Sequence, residues 1–244
     1  NGGSATVNNW TDAANWTGVA ITPLDALSFD GSSRTSNTND TAAGTTYVGV
    51  AFNGGASSFT LNGASMNLAG TMVNNSPNLQ TVNFGLAQNG TGTLDGGGGS
   101  LAFNGGITNT SAAAQTVNLL GNGTLKNIWT NSGGGRVQIQ GGDGAWTILD
   151  GSGSGALVQA GNAQIHVNPA DTGQIDFGTA LSAPNLDLGF TTNGNLAIDG
   201  LGAGTFNMNN GTLRVNSVTS ANGGTQHGFL NVNGGTLIMG AGGL

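Results

Sequence analysis

The sequence predicts an all-β fold, a right-handed parallel β-helix (β-solenoid) with an N-terminal cap, and three observations carry that prediction. The first is a repeat: Phe206 to Val215 (FNMNNGTLRV) returns at Leu230 to Met239 as LNVNGGTLIM, matched position by position at an offset of 24. In each copy apolar residues alternate with Asn, a Gly-containing turn follows, and a second apolar strand begins at Thr-Leu. Period-two alternation gives each unit one oily face that it cannot bury alone, and stacked units bury one another's. The second is composition: of 244 residues 47 are Gly and 36% are hydrophobic, so Gly punctuates regularly spaced apolar residues and does not mark a disordered linker. The third is that no long segment shows apolar residues at i, i+3, i+4 and i+7, which leaves strands as the repeating element.

Residues 1–25 differ from the rest. The paired pattern NNWTDAANWTG holds Trp10 and Trp16, and Pro23 follows without clean alternation. A solenoid end must cover its first coil, and bulky aromatics before a proline stop suit that task, so this stretch is expected to be the cap. Trp10 and Trp16 as a sugar-stacking platform is the competing assignment.

Residues 26–244 form the expected body. Tyr47 to Phe52 runs into Asn53-Gly54-Gly55, and Leu101 to Phe103 runs into Asn104-Gly105-Gly106, an AFNGG match at an offset of 51. QTVNFGL from Gln80 is echoed by QTVNLLG from Gln115, an offset of 35, so the repeat length drifts. Further strands are expected at Val137 to Ile139, Trp146 to Leu149, Ile165 to Val167, Leu186 to Leu188 and Leu196 to Ile198, with Gln138, His166, Asp187 and Asp199 facing outward. The inward set is expected to include Val50, Phe52, Leu61, Phe103, Val117, Leu119, Val137, Ile139, Ile148, Ile198, Phe206, Met208, Leu213, Val215, Leu230, Val232 and Leu237. An antiparallel barrel would not need similar units at one-coil spacing; parallel strands with crossovers of the usual hand give the right-handed coil. Coils of about 20 to 25 residues and about 4.8 Å between strands give a body roughly 50 Å long. The last repeat, from Asn233, has no cover of its own, so the body is expected to continue beyond 244 or to stack there on a further copy, head to tail.

The segment from Leu27 to Gly63 (LSFDGSSRTSNTNDTAAGTTYVGVAFNGGASSFTLNG), followed by Met72 to Gly96 (MVNNSPNLQTVNFGLAQNGTGTLDG), resembles the autotransporter-associated β-strand repeat proteins of bacteria. The opening NWTDAANWTG is similar to the start of their mature regions, and the resemblance is best over Trp10 to Leu125. It implies a secreted β-helix at the cell surface or outside the cell, of the autotransporter-passenger or PEP-CTERM kind, with no catalytic motif.

Charge bounds the partners. Charged residues are 6% of the chain, against roughly 25% in ordinary domains. The acidic residues number 11, all Asp, and the net charge is -7, which argues against nucleic acid and anionic membrane surfaces. A surface of Asn, Thr, Ser and Gly repels an identical neighbour little, which favours self-association. There is no cysteine, and no apolar run approaches the roughly 18 residues of a spanning helix. Asn-X-Ser/Thr triplets, as at Asn9, Asn15, Asn89 and Asn122, recur as composition alone would produce them.

Candidate chemistry is sparse. Gly141-Gly142-Asp143-Gly144-Ala145-Trp146 approaches a calcium β-roll repeat but has Trp at the ligand position. Asp150-Gly151-Ser152-Gly153-Ser154-Gly155 begins like an EF-hand loop, yet Gly161 stands where Glu is required. Asp176 and Asp199, 23 residues apart, could be neighbouring carboxylates of a glycosidase or two equivalent turn residues. His166 and His227 make no zinc signature, and Lys126 follows Leu125 where a phosphate loop needs Gly. Thr91/Thr93 and Thr108/Thr110 are too few for a regular ice- or glycan-binding face. The expectation is a non-catalytic structural solenoid (stalk, adhesin body or filament subunit) without cofactor or metal, partnered by itself and by surface glycans. The alternative is a polysaccharide-active β-helix or a carbohydrate-binding one using Trp10, Trp16, Trp129 or Trp146.

Overall fold

The computed structural model describes residues 7–87, 90–131, 135, 137–159, 163–167, 173–189, 191–192, 194–198, 204–219 and 228–244. Beyond a single 3-10 turn at Ala13–Asn15, its regular elements are strands, and every strand-to-strand pairing is parallel. The chain is a parallel β-solenoid. Along one nine-stranded sheet the interior row runs Asn37, Leu61, Val82, Phe103, Leu125, Ile148, Phe177, Met208 and Val232, each in register with the next. Successive steps are 24, 21, 21, 22, 23, 29, 31 and 24 residues, so the row climbs eight turns. Eight spacings of about 4.8 Å make the body roughly 40 Å long, shorter than expected because two coils are longer than 25 residues.

A second sheet of fifteen strands supplies the other two sides. Thr45–Phe52 shows how it bends. Its first residues pair with Met66 to Leu68, its last with Ala26–Phe29 and with Thr71 to Asn74, and the register breaks at Val48 between them. The solenoid is therefore three-sided. The first side is the nine-stranded sheet. The second includes Gln115–Leu120, Val137–Gly141 and Ala163–Val167, and the third includes Ile107–Asn109, Asn185–Asp187 and the first half of Thr236–Gly243, from Thr236 to Met239.

Registers sort the sequence echoes. Phe206 pairs with Leu230, Leu213 with Leu237 and Val215 with Met239, so the offset of 24 is one true coil. The other two echoes are not stacked equivalents. Phe52 sits on the second side against Phe29 and Asn74, whereas Phe103 sits on the first against Val82 and Leu125. Val82 and Val117 are likewise on different sides. What repeats in sequence is a strand with its corner, used on any side.

The interior is one continuous apolar cluster. Of the expected inward set, fourteen residues from Val50 to Val215 are buried; Leu230 and Leu237 pack against the core half-buried, and Val232 is 58% exposed. Val232 continues the interior row, but no described residue pairs beyond it, so its inward side is open. Gly123 and Gln80 illustrate how interior positions depart from the apolar rule. Trp146 lies over Gly123, where a Cβ would come within 2.6 Å of the indole, and its Nε1 donates to the Leu120 carbonyl at 3.0 Å. Gln80 is fully buried, accepting from the Phe59 N–H at 2.8 Å and donating to Ser76 Oγ at 2.8 Å.

The corners overturn the dismissal of Asn-X-Ser/Thr. Asn39, Asn74 and Asn109 each close a strand, one at each of the three corners, and all are buried. Each Oδ1 accepts from the backbone N–H of the hydroxyl residue two positions on, Thr41, Ser76 or Ser111. Each Nδ2 donates one coil ahead, to the carbonyl of Ala64, Ser100 or Gly135. A buried polar group satisfied on both sides in this way pins one coil to the next.

At the start, Asn9 bridges Thr38 in parallel, adding a rung to the nine-stranded sheet. Trp10 is fully buried, with its ring 5.9 Å from Tyr47, 5.8 Å from Phe29 and 5.7 Å from Phe84. Thr11 ties the segment to the first corner, its N–H donating to Asp40 Oδ1 at 2.9 Å and its hydroxyl to Oδ2.

Candidate functional site

The sequence candidates do not converge. Trp10, Trp129 and Trp146 are buried and offer no ring face to a sugar, while Trp16 is half-buried, edge-on to Trp10 and Phe29, with its Nε1 bonded to the Trp10 carbonyl at 2.6 Å. Their bulk fills the interior. Asp176 is on the outer face of the first side, paired in register with Thr147 and Asn207. Both of its oxygens accept from Gln174 Nε2 at 2.9 Å, and Asn207 Nδ2 adds a bond of 2.7 Å. Asp199 lies outside the described residues, but its neighbour Ile198 pairs with Val167 on the second side. The residue stacked in register on Asp176 is Asn207, 31 residues on.

Asp150 organises its own corner. Its Oδ1 accepts from the Ser152 N–H and hydroxyl, its Oδ2 from the Gly155 N–H at 2.7 Å. Burial pushes this carboxyl upward, but the Ser152 hydroxyl and the N–H groups of Gly155, Ser152 and Gly153 outweigh it and hold it below the usual carboxylate range. Asp40 is shifted the same way: burial raises it and the bonds from Thr11 outweigh that. Tyr47 moves upward, through burial first and then the Asp25 and Asp40 carboxylates, against a bond to Thr41. In the calcium-like stretch Asp143 is exposed and Trp146 is core. Among the described residues no three His or Asp side chains are grouped as metal ligands. His166 faces outward beside Gln138 Nε2 at 3.1 Å; His227 lies outside the described residues. Thr91 and Thr93 are on the second side and Thr108 on the third.

Two arrangements escaped the sequence reading. On the outer face of the first side Thr60, Thr81, Ala102, Thr124 and Thr147 stack in one row. Beside it Asn104 donates to Asn83 at 3.0 Å, and Asn83 to Asn62 at 2.8 Å. The signal was the step of 21 in TLN, TVN and AFN, hidden by longer matches at wrong offsets. The second is a groove of about 590 Å³ over the third side, lined by Ser65, Asn67, Ala87, Thr108, Thr110 and Ser111. A smaller hollow of about 280 Å³, reaching Thr46 and Thr91, adjoins it and shares Asn67. No sequence pattern announces this groove, since its residues come from separate coils.

These pairings define the class, a parallel β-solenoid protein. No family model, no curated protein and no solved structure matches the chain, so the class rests on the strand registers themselves.

Proposed function

We propose that the chain is a non-catalytic structural solenoid of the bacterial cell surface or extracellular matrix, a stalk, adhesin body or filament subunit, as the resemblance to autotransporter-associated repeats implies. The observation that supports this most is the interior row climbing eight turns in register, while carboxylates such as Asp150 and Asp176 serve to fix corners and neighbouring amides. The Trp10 segment, bridged to Thr38, suits an end cover. At the other end Val232, on the interior row, is more than half exposed, and a further coil, from the same polypeptide or a second copy, would bury it. Immunogold labelling of intact and fractionated producing cells should place the protein outside the cytoplasm; a purely cytoplasmic pool would overturn the reading. Incubation with acidic and neutral polysaccharides should release no reducing ends or unsaturated products, and turnover abolished by Asp176→Asn would replace it with an enzyme. The carbohydrate-binding alternative is favoured by the groove alone, since the tryptophans are engaged inside.

A further inference from the structure

We propose that the groove over the third side binds a neutral, hydroxyl-rich oligosaccharide. This deepens the carbohydrate-binding alternative and does not depend on where the protein resides.

Shape comes first. The outer row at the groove runs Asn67, Ala87 and Thr108, and Ala43 and Gly44 line it from the coil before, so four coils contribute. Ala87 has the smallest side chain of that row, and Ser65, Thr110 and Ser111 complete the lining. Four rungs of about 4.8 Å spacing make a trough roughly 14 Å long, and its volume of about 590 Å³ is in the range of small-molecule sites. An elongated ligand lying along the solenoid axis fits this shape.

Chemistry decides the class. Among the described residues the lining offers hydroxyls, one amide and backbone, with no ionisable side chain and no aromatic ring. A charged ligand finds no counter-charge there, and an apolar one finds only Ala and Gly surface. A neutral sugar finds donors and acceptors at each rung.

Asn67 supplies the specific handle. Its Nδ2 donates to the Gly44 carbonyl at 3.1 Å and to Thr46 Oγ1 at 3.4 Å, while its Oδ1 is enclosed with no hydrogen-bond partner. An unmatched buried acceptor is costly. Turning the amide toward the groove gives up two long bonds and presents that acceptor to a ligand hydroxyl.

The test is a titration of isotope-labelled protein with neutral oligosaccharides (glucan, xylan, mannan and chitin fragments) and, in parallel, with uronate and sulfated ones, read by amide chemical shifts. At least one neutral oligosaccharide should shift Asn67, Thr108 and Ser111 saturably. Asn67→Leu should weaken it about tenfold, the worth of one hydrogen bond. Ala87→Phe, at a half-exposed outer position, should fill the floor and abolish binding with the remaining spectrum unchanged; Thr108→Phe serves if that variant does not fold. Binding of charged oligosaccharides only, shifts confined to other sides, no response to any neutral sugar, or undiminished affinity in a folded groove-filling variant would each overturn the proposal. A surface-located protein that ignores every glycan would remove this inference and leave the stalk reading intact.

Discussion

Two stretches of the same solenoid solve the same problem at different lengths. From Leu61 to Leu125 the interior row advances in steps of 21, 21 and 22 residues; from Ile148 to Met208 it advances in steps of 29 and 31. The row does not change between them, since Ile148, Phe177 and Met208 are as fully buried as Val82, Phe103 and Leu125. Part of the extra chain is in corners, at residues 150–156 and 178–184, where Leu181 is fully exposed. Strand length is fixed by the need to cover the core. Corner length is nearly free, because a doubled loop adds only about 0.6 kcal/mol of closure entropy.

The comparison breaks hardest inside the row. Ile139→Asp should abolish cooperative unfolding or leave the protein insoluble, since Ile139 is fully buried between Val117 and Ile165 and an unpaired buried charge is intolerable. Leu181→Asp, in the long corner, should unfold at the same temperature as the parent. A soluble Ile139→Asp protein with parental thermal stability would refute the interior assignment.

Next come two glycines with similar backbone and different surroundings. Gly106, at φ +75°, is in the tight region, where a Cβ would fall 1.8 Å from the Ile128 carbonyl oxygen; Gly153, at φ +69°, has open space. Gly106→Ala should cost ~3 kcal/mol or more, through left-handed strain plus a clash with backbone that cannot yield. Gly153→Ala should cost about 1 kcal/mol from strain alone. Equal losses in chemical denaturation would show that coil contact at corners does not matter.

Asn109→Ala should cost about 1 kcal/mol, because the Ser111 N–H loses its acceptor while the Gly135 carbonyl keeps only its bond from Asn131. Replacing Ser152 to Gly155 by a two-residue turn should change stability by less than about 1 kcal/mol. The smallest effect concerns pH. The folded Asp150 carboxyl titrates below its unfolded value, so its contribution is complete above about pH 4 and is lost as pH falls through the folded value. The protection of the Gly155 amide against hydrogen exchange, relative to its intrinsic rate at each pH, should therefore fall below about pH 4, and Ser152→Ala should blunt that response.

Legibility in the sequence followed locality. Alternation at Val137, Ile139, Ile148 and Ile165 identified strands and their inner faces, because a period of two is written in adjacent residues. Stacking was legible only where the coil length was constant, at Phe206 and Leu230. Elsewhere the best sequence match joined Phe52 to Phe103, two residues on different sides, because all three corners use the same strand-plus-Asn device. The groove was invisible for the same reason in reverse: Gly44, Ser65, Ala87 and Thr108 acquire meaning only once the registers stack them.

The corner asparagines have a consequence for how the protein can be made. Asn39-Asp40-Thr41, Asn74-Asn75-Ser76 and Asn109-Thr110-Ser111 each read as an acceptor for N-linked glycan, yet each Asn is at most 1% exposed once folded. A eukaryotic secretory pathway attaches its glycan to the nascent chain, before a corner exists to hide the amide. A sugar on Asn74 would occupy the nitrogen that bonds Ser100 and force a bulky hydrophilic branch into a space with no room for it. Expressed by that route, the chain should be retained as misfolded glycoprotein, and removing the three corner sequons by Thr41→Val, Ser76→Ala and Ser111→Ala should relieve part of that retention at some cost in corner stability. Folding through these corners is compatible with export only where that modification does not precede it.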